Sequence, residues 1–298
     1  MSDDDLTAQL ANAQKYVMIP DWKSESSPFG LSYWDRFQSG CMYQRVLDKK
    51  YADLILAMEL GAEDASATGV GSAFHKIMEH YYRGTLGTVA FDDTVPNVIE
   101  ALRLYRAYST RFPASEFGTV VGSEVEFSLP TDLAIGMLGV PAFTGRLDLL
   151  VEIEQDKIED LRRWDKRNLS GLTEPGVYIL DHKTMGRKDR DVAKKFSNAF
   201  QFHAYQFAWD LLHPDKPVKG MIANCVVRHK ELNDGSFFSV FVPPPTPVQI
   251  RALRGHLSDS YAIYLARGAE FLNRSKCYDW GRECAHFTSG ACDRTEPK

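Results

Sequence analysis

The chain has 298 residues, of which 44% are hydrophobic and 25% are charged, and its formal net charge is −5. These values are ordinary for a globular protein, so they exclude a disordered chain and a collagen-like repeat. The net charge supplies no global positive field for nucleic acid, so such a site would need a local basic patch or a metal. No run of 18 apolar residues occurs, which predicts that nothing spans a membrane.

The five cysteines are unevenly placed. The acidic start, MSDDDLTAQL, lacks the basic and apolar regions of a signal peptide, so we expect a cytoplasmic protein with reduced thiols. Cys277, Cys284 and Cys292 fall within 16 residues, which favours a shared role such as metal binding. Cys225 lies in an apolar run and is expected to be a small buried residue.

The first third of the chain is predicted to be helical after a polar arm at residues 1–30. Ser32 is an N-cap candidate for the first helix, and apolar residues recur with helical spacing from Ser72 and again over 95–112. The expected elements are a helix from Ser32 to about Leu60, a loop over Gly61 to Gly71, a helix from Ser72 and a helix over 95–112.

The middle of the chain is rich in β-branched and aromatic residues, which predicts three strands near residues 120–129, 143–153 and 176–180. Between the last two lies the segment from Gln155 to Gly176, where 10 of 22 residues are charged. We interpret this segment as a solvated excursion of the hairpin.

The remaining pattern predicts an aromatic-rich helix from Phe196 to Leu212, strands at 220–229 and 236–242, and a helix from Thr246 to about Arg267. This order describes an α/β or α+β domain with one central mixed sheet. The cysteine-rich segment 271–298 lies outside it.

Two predicted strands carry acids in apolar surroundings. Asp148 lies in TGRLDLLV, and a carboxylate buried there needs a partner. Asp181 and Lys183 stand two apart in a strand, which places both on one face and His182 on the other. A surface ion pair is the alternative interpretation of Asp181 and Lys183. If the two strands are neighbours, the two acids offer hard oxygen ligands for Mg²⁺ or Mn²⁺. The lysine beside them can orient or deprotonate a water molecule. Together these groups outline a phosphodiester hydrolysis site.

Four motifs in a fixed order extend this pattern. They are Gly71-Ser-Ala-Phe-His75, Gly145-Arg-Leu-Asp148, Asp181-His-Lys-Thr184 and Gln201-Phe-His-Ala-Tyr205. In order and spacing the chain resembles the RecB-like branch of the PD-(D/E)XK nuclease superfamily from about Ser32 to Cys292. The resemblance implies an α/β, restriction-endonuclease-like core with a central mixed sheet flanked by helices, within a nuclease domain at 31–270.

The resemblance also assigns roles to individual residues. His75, Asp148 and Asp181, with the backbone carbonyl of His182, match the metal ligands, and Lys183 matches the catalytic lysine. Without the motifs, His75 would be interpreted as a helix-surface histidine.

Three further positions are matched less specifically. Glu124 best matches the catalytic acid of the preceding strand, although Glu126 is the alternative on the same face. Gln201 and Tyr205 are four apart on one helix face and match a pair that helps to hold the DNA strand and the lysine. Core packing is the alternative for Tyr205.

DNA is the expected partner. Residues 183–230 hold 10 Lys or Arg against 4 Asp or Glu, a local excess next to the predicted site. A solvated loop balanced by Asp189 and Asp191 is the alternative. The residues that could contact phosphates are Arg187, Lys188, Arg190, Lys194 and Lys195.

A second cofactor is implied by the similarity to AddB-type nuclease subunits and CRISPR-associated RecB-like exonucleases. In that comparison Cys41, Cys277, Cys284 and Cys292 supply the four thiolates of a [4Fe-4S] cluster that joins the N- and C-terminal segments. Zinc, with His286 in place of one thiolate, and free thiols are the alternatives.

The resemblance therefore implies a Mg²⁺- or Mn²⁺-dependent deoxyribonuclease, acting as an exonuclease on single-stranded DNA or DNA ends in a bacterial, archaeal or phage-infected cell. Recombination, repair, phage DNA processing and CRISPR adaptation stay open as pathways and as sources of partner proteins, as does a homo-oligomer. The alternatives are a nuclease-like DNA-binding or assembly subunit with little or no cleavage, and a metal protein unrelated to nucleic acid.

Overall fold

A computed structural model describes residues 31, 34, 67–165, 168–188 and 190–267. Over these ranges, five strands form one sheet. The strands are β1 (Thr119–Leu129), β2 (Phe143–Ile153), β3 (Gly176–Met185), β4 (Met221–Val227) and β5 (Phe237–Val242). The principal helices are α1 (Ala67–Tyr82), α2 (Pro96–Arg111), α3 (Gln155–Trp164), α4 (Val192–Ser197), α5 (Phe200–Leu212) and α6 (Pro247–Arg267).

The sheet is mixed, with the spatial order β1-β2-β3-β4-β5. Strands β2 and β3 are antiparallel, β3 and β4 are parallel, and β4 and β5 are antiparallel. The parallel pair needs a crossover, which α4 and α5 supply. The predicted α/β fold with a central mixed sheet flanked by helices is confirmed and is consistent with a restriction-endonuclease-like core.

The described residues fall into two compact units. One comprises 67–127 and 146–250 and contains every described residue of the candidate site. The other comprises 128–145 and 251–267 with Leu31 and Trp34. In this second unit the Trp34 indole donates a hydrogen bond to the Ala142 carbonyl at 3.2 Å and lies edge-on to the ring of Tyr261.

The first unit buries two groups of apolar side chains, which anchor helices against the sheet. One group joins α3 to β2 and β3 and includes Ile158, Leu161 and Leu180. The other joins α1 and α2 to the ends of β4 and β5 and includes Phe74 and Val226. The predicted burial of Cys225 in β4 is confirmed, since its exposed fraction is zero.

The boundary predicted for α1 is wrong, because residues 67–71 are helical and not part of a loop. The two glycines there weaken the local helical signal, but Gly71 lies against β3. A Cβ at Gly71 would be 3.3 Å from the Thr184 hydroxyl oxygen. The glycine thus allows a close approach of helix and strand, and tertiary packing offsets its low helix propensity.

The segment from Gln155 to Gly176 is also more ordered than predicted. Its first half is α3, which buries Ile158 and Leu161 on one face while its charged residues point outward. Leu169 and Leu172 are fully buried after it. The high charge therefore marks the outer face of a packed segment and not a solvated excursion.

Smaller differences concern the ends of elements. The aromatic helix begins at Phe200, because the chain breaks after the short helix α4, and β4 ends at Val227. Three predicted segments lie outside the described residues. They are the N-terminal arm, the helix from Ser32 to Leu60 with the exception of Trp34, and the segment 271–298. Among the described helices, none has the length and apolar character needed to cross a membrane.

Candidate active site

The two strand acids lie where β2 and β3 separate. The ladder between the strands runs from Ile153 opposite Gly176 to Leu149 opposite Leu180. Beyond that point the Asp148 carboxylate accepts a hydrogen bond from the His182 backbone N–H at 2.9 Å. A side chain thus replaces a backbone acceptor of the ladder, and this places the Asp148 carboxylate beside the segment that carries Asp181.

His75 reaches the same carboxylate from helix α1. Its Nδ1 lies 3.1 Å from Asp148 Oδ2. Burial alone would lower the pKa of His75, but the Asp148 carboxylate raises it above its ordinary value. Burial would raise the pKa of Asp148, yet His75 and then Lys183 hold it well below its usual range. The structure thus joins His75 to the strand acids and not to a helix surface.

Asp181 and Lys183 form an ion pair on the same face of β3. Lys183 Nζ lies 2.7 Å from Asp181 Oδ2, and the Asp181 residue is only 3% exposed. This burial excludes the interpretation of a surface ion pair. The pair is a close charge contact, and among the described residues Asp181 Oδ2 has no polar partner besides the Lys183 ammonium.

The charges of this pair are set by opposing effects. Burial raises the pKa of Asp181, and the nearby Asp148 carboxylate adds to this, while the Lys183 ammonium opposes it. Burial would lower the pKa of Lys183, but Asp181 and Asp148 raise it well above its usual range. Lys183 is therefore a protonated donor, suited to orient water or phosphate oxygens and not to remove a proton.

Glu124 occupies an unusual position in β1. It is a non-glycine residue with a positive φ of 52°, a conformation that is rare in strands and recurs at functional sites. Its Oε2 lies 2.7 Å from Nε of Arg146, whereas Glu126 is exposed. The left-handed residue breaks the strand alternation, so the two glutamates do not share a face as predicted.

The electrostatic surroundings tie Glu124 to the strand acids. Burial, followed by the Asp148 carboxylate, raises the pKa of Glu124 to about 7, although Arg146 opposes the shift. Arg146 is a residue to which the sequence analysis assigned no role. The sequence did contain a signal for Arg146. It stands two residues before Asp148 in β2, and strand alternation places the two side chains on one face.

The titration of Glu124 predicts a pH dependence of stability. Its carboxyl binds a proton more tightly in the folded chain, with a pKa of about 7, than at its ordinary value of 4.5. Wild-type protein in EDTA should therefore lose stability relative to Glu124→Gln as pH rises from 5 to 8, by up to about 3 kcal/mol. Urea unfolding at several pH values measures the difference, and parallel profiles would contradict the assignment.

Gln201 and Tyr205 lie next to the ion pair on the first turns of α5. Gln201 Nε2 donates to the Tyr205 hydroxyl at 3.3 Å, and the Tyr205 ring meets Phe127 edge-on at 5.8 Å. Burial raises the pKa of Tyr205, and the charges of Asp181 and Asp148 add to the shift. Tyr205 thus packs against a core aromatic residue and also lies within electrostatic range of both acids.

The predicted phosphate-contacting residues follow directly after β3. They lie at exposed positions in the turn after the strand and in α4. One of them, Lys188, places its ammonium 4.3 Å from the centre of the Phe238 ring. The exposed residues are Arg187, Lys188, Arg190, Lys194 and Lys195.

The predicted metal ligands are only partly assembled. Over the described ranges, no group of three or more His, Cys, Asp or Glu side chains is arranged to hold a metal ion. Instead, His75 contacts Asp148, and Lys183 contacts Asp181. All four predicted cluster ligands, Cys41, Cys277, Cys284 and Cys292, lie outside the described residues.

Behind β3 the structure reveals polar residues to which the sequence analysis gave no role. Tyr82, Tyr108 and Asn224 surround the His182 side chain on the face opposite Asp181. Asn224 was detectable as a polar residue within the apolar run of β4. The tyrosines were not, because their helical spacing is that of ordinary core residues.

No protein-family model matches the chain, and no curated protein matches it. Among solved structures, the chain is similar to a protein from Eubacterium rectale that carries the provisional name of exonuclease. The identity is 13%, the TM-score is 0.48, and 95% of each chain is covered. It is also similar to the protein SSO0001, with 12% identity, a TM-score of 0.32 and coverage of 74% of this chain and 86% of that one. Identities and TM-scores this low carry no argument about function, so the function is inferred from the side chains of the site.

Proposed function

We propose that the protein is a divalent-metal-dependent deoxyribonuclease of the RecB-like PD-(D/E)XK type that acts as an exonuclease on single-stranded DNA or DNA ends. One observation carries the proposal. At the point where β2 and β3 separate, Asp148 with His75 and Asp181 with Lys183 form one cluster of charged side chains. Two carboxylates, an imidazole and a protonated lysine together match the chemical needs of phosphodiester hydrolysis.

The chemical types of the donors suit a divalent cation. Carboxylate oxygens and an imidazole suit Mg²⁺ or Mn²⁺, and among the described residues the buried Asp181 Oδ2 has no polar partner besides the Lys183 ammonium. His75, Asp148 and Asp181, with the carbonyl of His182, would hold the ion. When bound, the ion would act as a Lewis acid towards a phosphoryl oxygen and stabilise the leaving 3′ oxygen.

The protein's own residues have separate tasks in this proposal. Lys183 keeps its proton, so it orients the attacking water and stabilises negative charge on the phosphate. The amide of Gln201 and the hydroxyl of Tyr205, which are hydrogen-bonded to each other, hold the DNA strand beside Lys183. Glu124, with a pKa of about 7, can accept or donate a proton near neutral pH.

The DNA strand would be drawn to the site by the basic residues that follow β3. Their exposed ammonium and guanidinium groups can contact phosphates without reading base sequence. These groups are Arg187, Lys188, Arg190, Lys194 and Lys195. Because the contacts are electrostatic, binding should weaken as the salt concentration rises.

A digestion experiment tests the substrate and the metal requirement together. Linear and circular DNA, each single-stranded and duplex, are incubated with purified protein in Mg²⁺, Mn²⁺ or EDTA. We expect linear DNA to be shortened to nucleotides or short products with 5′-phosphate ends, circular DNA to persist, and EDTA to stop the reaction. Nicking of circular DNA at the same rate would contradict the exonuclease assignment.

One observation favours a second candidate, a nuclease-like subunit that binds DNA or assembles with partners but cleaves little or not at all. Within the described part of the chain, both strand acids are already paired with cationic partners and no three-ligand metal set is formed. Such a protein would bind linear DNA in EDTA as tightly as in Mn²⁺ and leave it intact in both.

A further inference from the structure

His182 separates the two residues of the ion pair on β3, but its side chain lies on the opposite face of the sheet. The parallel register places it next to Asn224 of β4. On this face it lies between the apolar group around Leu180 and Ile222 and the group around Phe74 and Val226. The His182 residue is only 2% exposed. A polar ring therefore occupies a position where an apolar side chain would be the simpler choice.

Aromatic rings from helix α1 enclose the imidazole. The Tyr82 ring stacks on it with centroids 5.5 Å apart and an interplanar angle of 23°, and Phe74 meets it edge-on at 6.2 Å. Both residues belong to α1, and Phe74 immediately precedes His75 in the chain. The His182 ring thus contacts the same helix that presents His75 to Asp148.

Hydrogen bonds tie this ring to the neighbouring elements. Ser239 of β5 donates to Asn224 Oδ1 at 3.1 Å, and Asn224 Nδ2 donates to the Tyr108 hydroxyl at 2.6 Å. Asn224 Nδ2 also lies 3.4 Å from His182 Nδ1, and the hydroxyls of Tyr82 and Tyr108 are 3.0 Å apart. The amide orients the imidazole and the tyrosines orient helices α1 and α2, so one polar chain connects β5, β4 and β3 with both helices.

The tautomer of His182 follows from this chain. Because Asn224 presents its amide N–H groups, Nδ1 of His182 is the acceptor and Nε2 carries the proton. Nε2 is buried and has no hydrogen-bond partner among the residues that the structure describes. Such a group is costly, so the ring is not explained by stability alone. The polar chain can select one packing arrangement of α1 against β3, and this specificity offsets the cost of burying the unpaired Nε2.

We propose that His182 is a positioning residue of the site, which fixes helix α1 against strand β3 so that His75 on the helix meets Asp148 beside the Asp181–Lys183 pair. The inference rests on the proposed nuclease function. It differs from the role of the His182 carbonyl as a metal ligand, because it concerns the side chain on the other face of the strand. The Tyr82 ring is its partner on α1.

The test compares variants on both sides of this contact. His182→Ala and Tyr82→Leu remove the stacking, Tyr82→Phe keeps the ring, and Val226→Ala is a buried control in the same apolar group on β4. His182→Ala and Tyr82→Leu should lower kcat for Mn²⁺-dependent DNA degradation about tenfold or more with KM within about twofold, as losses of supporting residues do. Tyr82→Phe keeps the ring and loses only the hydroxyl contact with Tyr108, so its kcat should fall less than that of Tyr82→Leu. Val226→Ala should keep kcat within about twofold, even though it lowers Tm.

A double-mutant cycle with His75→Ala shows whether the effect passes through His75. The double variant His75→Ala/His182→Ala should be no slower than His75→Ala alone. The inference would be overturned if the losses in kcat caused by His75→Ala and His182→Ala multiplied in the double variant. It would also be overturned if His182→Ala had the same kcat as Val226→Ala. If His182→Ala does not fold, Tyr82→Leu takes its place in the cycle.

The failure of the inference is distinguishable from that of the proposed function. If wild-type protein degrades no DNA, the proposed function fails. The positioning contact is then tested by measuring the free energy of unfolding of the wild type, His75→Ala, His182→Ala and the double variant. Non-additive free energies for His75 and His182 would support the positioning contact, while additive ones would overturn it.

Discussion

Lys183→Met should lower the rate of Mn²⁺-dependent DNA degradation by about 10²–10³-fold, the usual loss when a preorganised charged donor is removed. The ammonium lies 2.7 Å from Asp181 and keeps its proton because two carboxylates surround it. Methionine retains much of the length of the side chain but donates no hydrogen bond. We expect kcat to fall much more than the affinity for DNA.

Lys216→Met provides a matched control for this substitution. Lys216 is exposed in the turn after α5 and has no part in the site. Its replacement removes the same charge and should leave the rate within about twofold. Equal rates for Lys183→Met and Lys216→Met, with both variants folded, would remove Lys183 from the reaction.

Asp148→Asn should reduce the degradation rate by about a thousandfold while costing only about 1–2 kcal/mol of stability. The amide oxygen can still accept the hydrogen bond from the His182 backbone. His75, whose raised pKa depends on the Asp148 carboxylate, can release its proton and so avoids becoming an uncompensated buried charge. The substitution thus removes a negative charge needed for a divalent ion and preserves the local fold.

Asp210→Asn is the matched control for Asp148→Asn. The Asp210 carboxylate also accepts a backbone hydrogen bond, from Val218 at 2.9 Å, but it lies near the end of α5 and outside the site. Both variants lose one acid and keep an acceptor. Urea unfolding should show small losses in both, whereas only Asp148→Asn should lose activity. A normal rate for Asp148→Asn would contradict its role.

Strand alternation made a large part of this site predictable. Asp181 and Lys183 share a face because strand side chains repeat every two residues, and an acid in an apolar strand signals a partner. The contact of His75 with Asp148 joins residues far apart in the chain, so it followed only from the resemblance of the motifs. The structure now gives that contact a distance of 3.1 Å.

Other parts of the structure depend on features that residue patterns do not encode. The positive φ of Glu124 shifts the alternation of β1, so spacing could not separate Glu124 from Glu126. Helix α1 extends through Gly71 because the missing side chain permits contact with Thr184, a tertiary effect. The charged segment after β2 looked solvated because its surface charges outnumber the buried leucines.

The most direct test of the account is the rate of degradation of linear DNA in Mn²⁺ by the wild type and by Asp181→Asn, measured side by side. Asp181 is the buried acid that pairs with Lys183 and lies within electrostatic range of Asp148, and its replacement removes the charge that both the ion and the lysine require. We predict rapid degradation by the wild type, none in EDTA, and a folded Asp181→Asn with less than about 1% of the wild-type rate. Equal rates for the two proteins, or an inactive wild type, would contradict the assignment of this site as a nuclease centre.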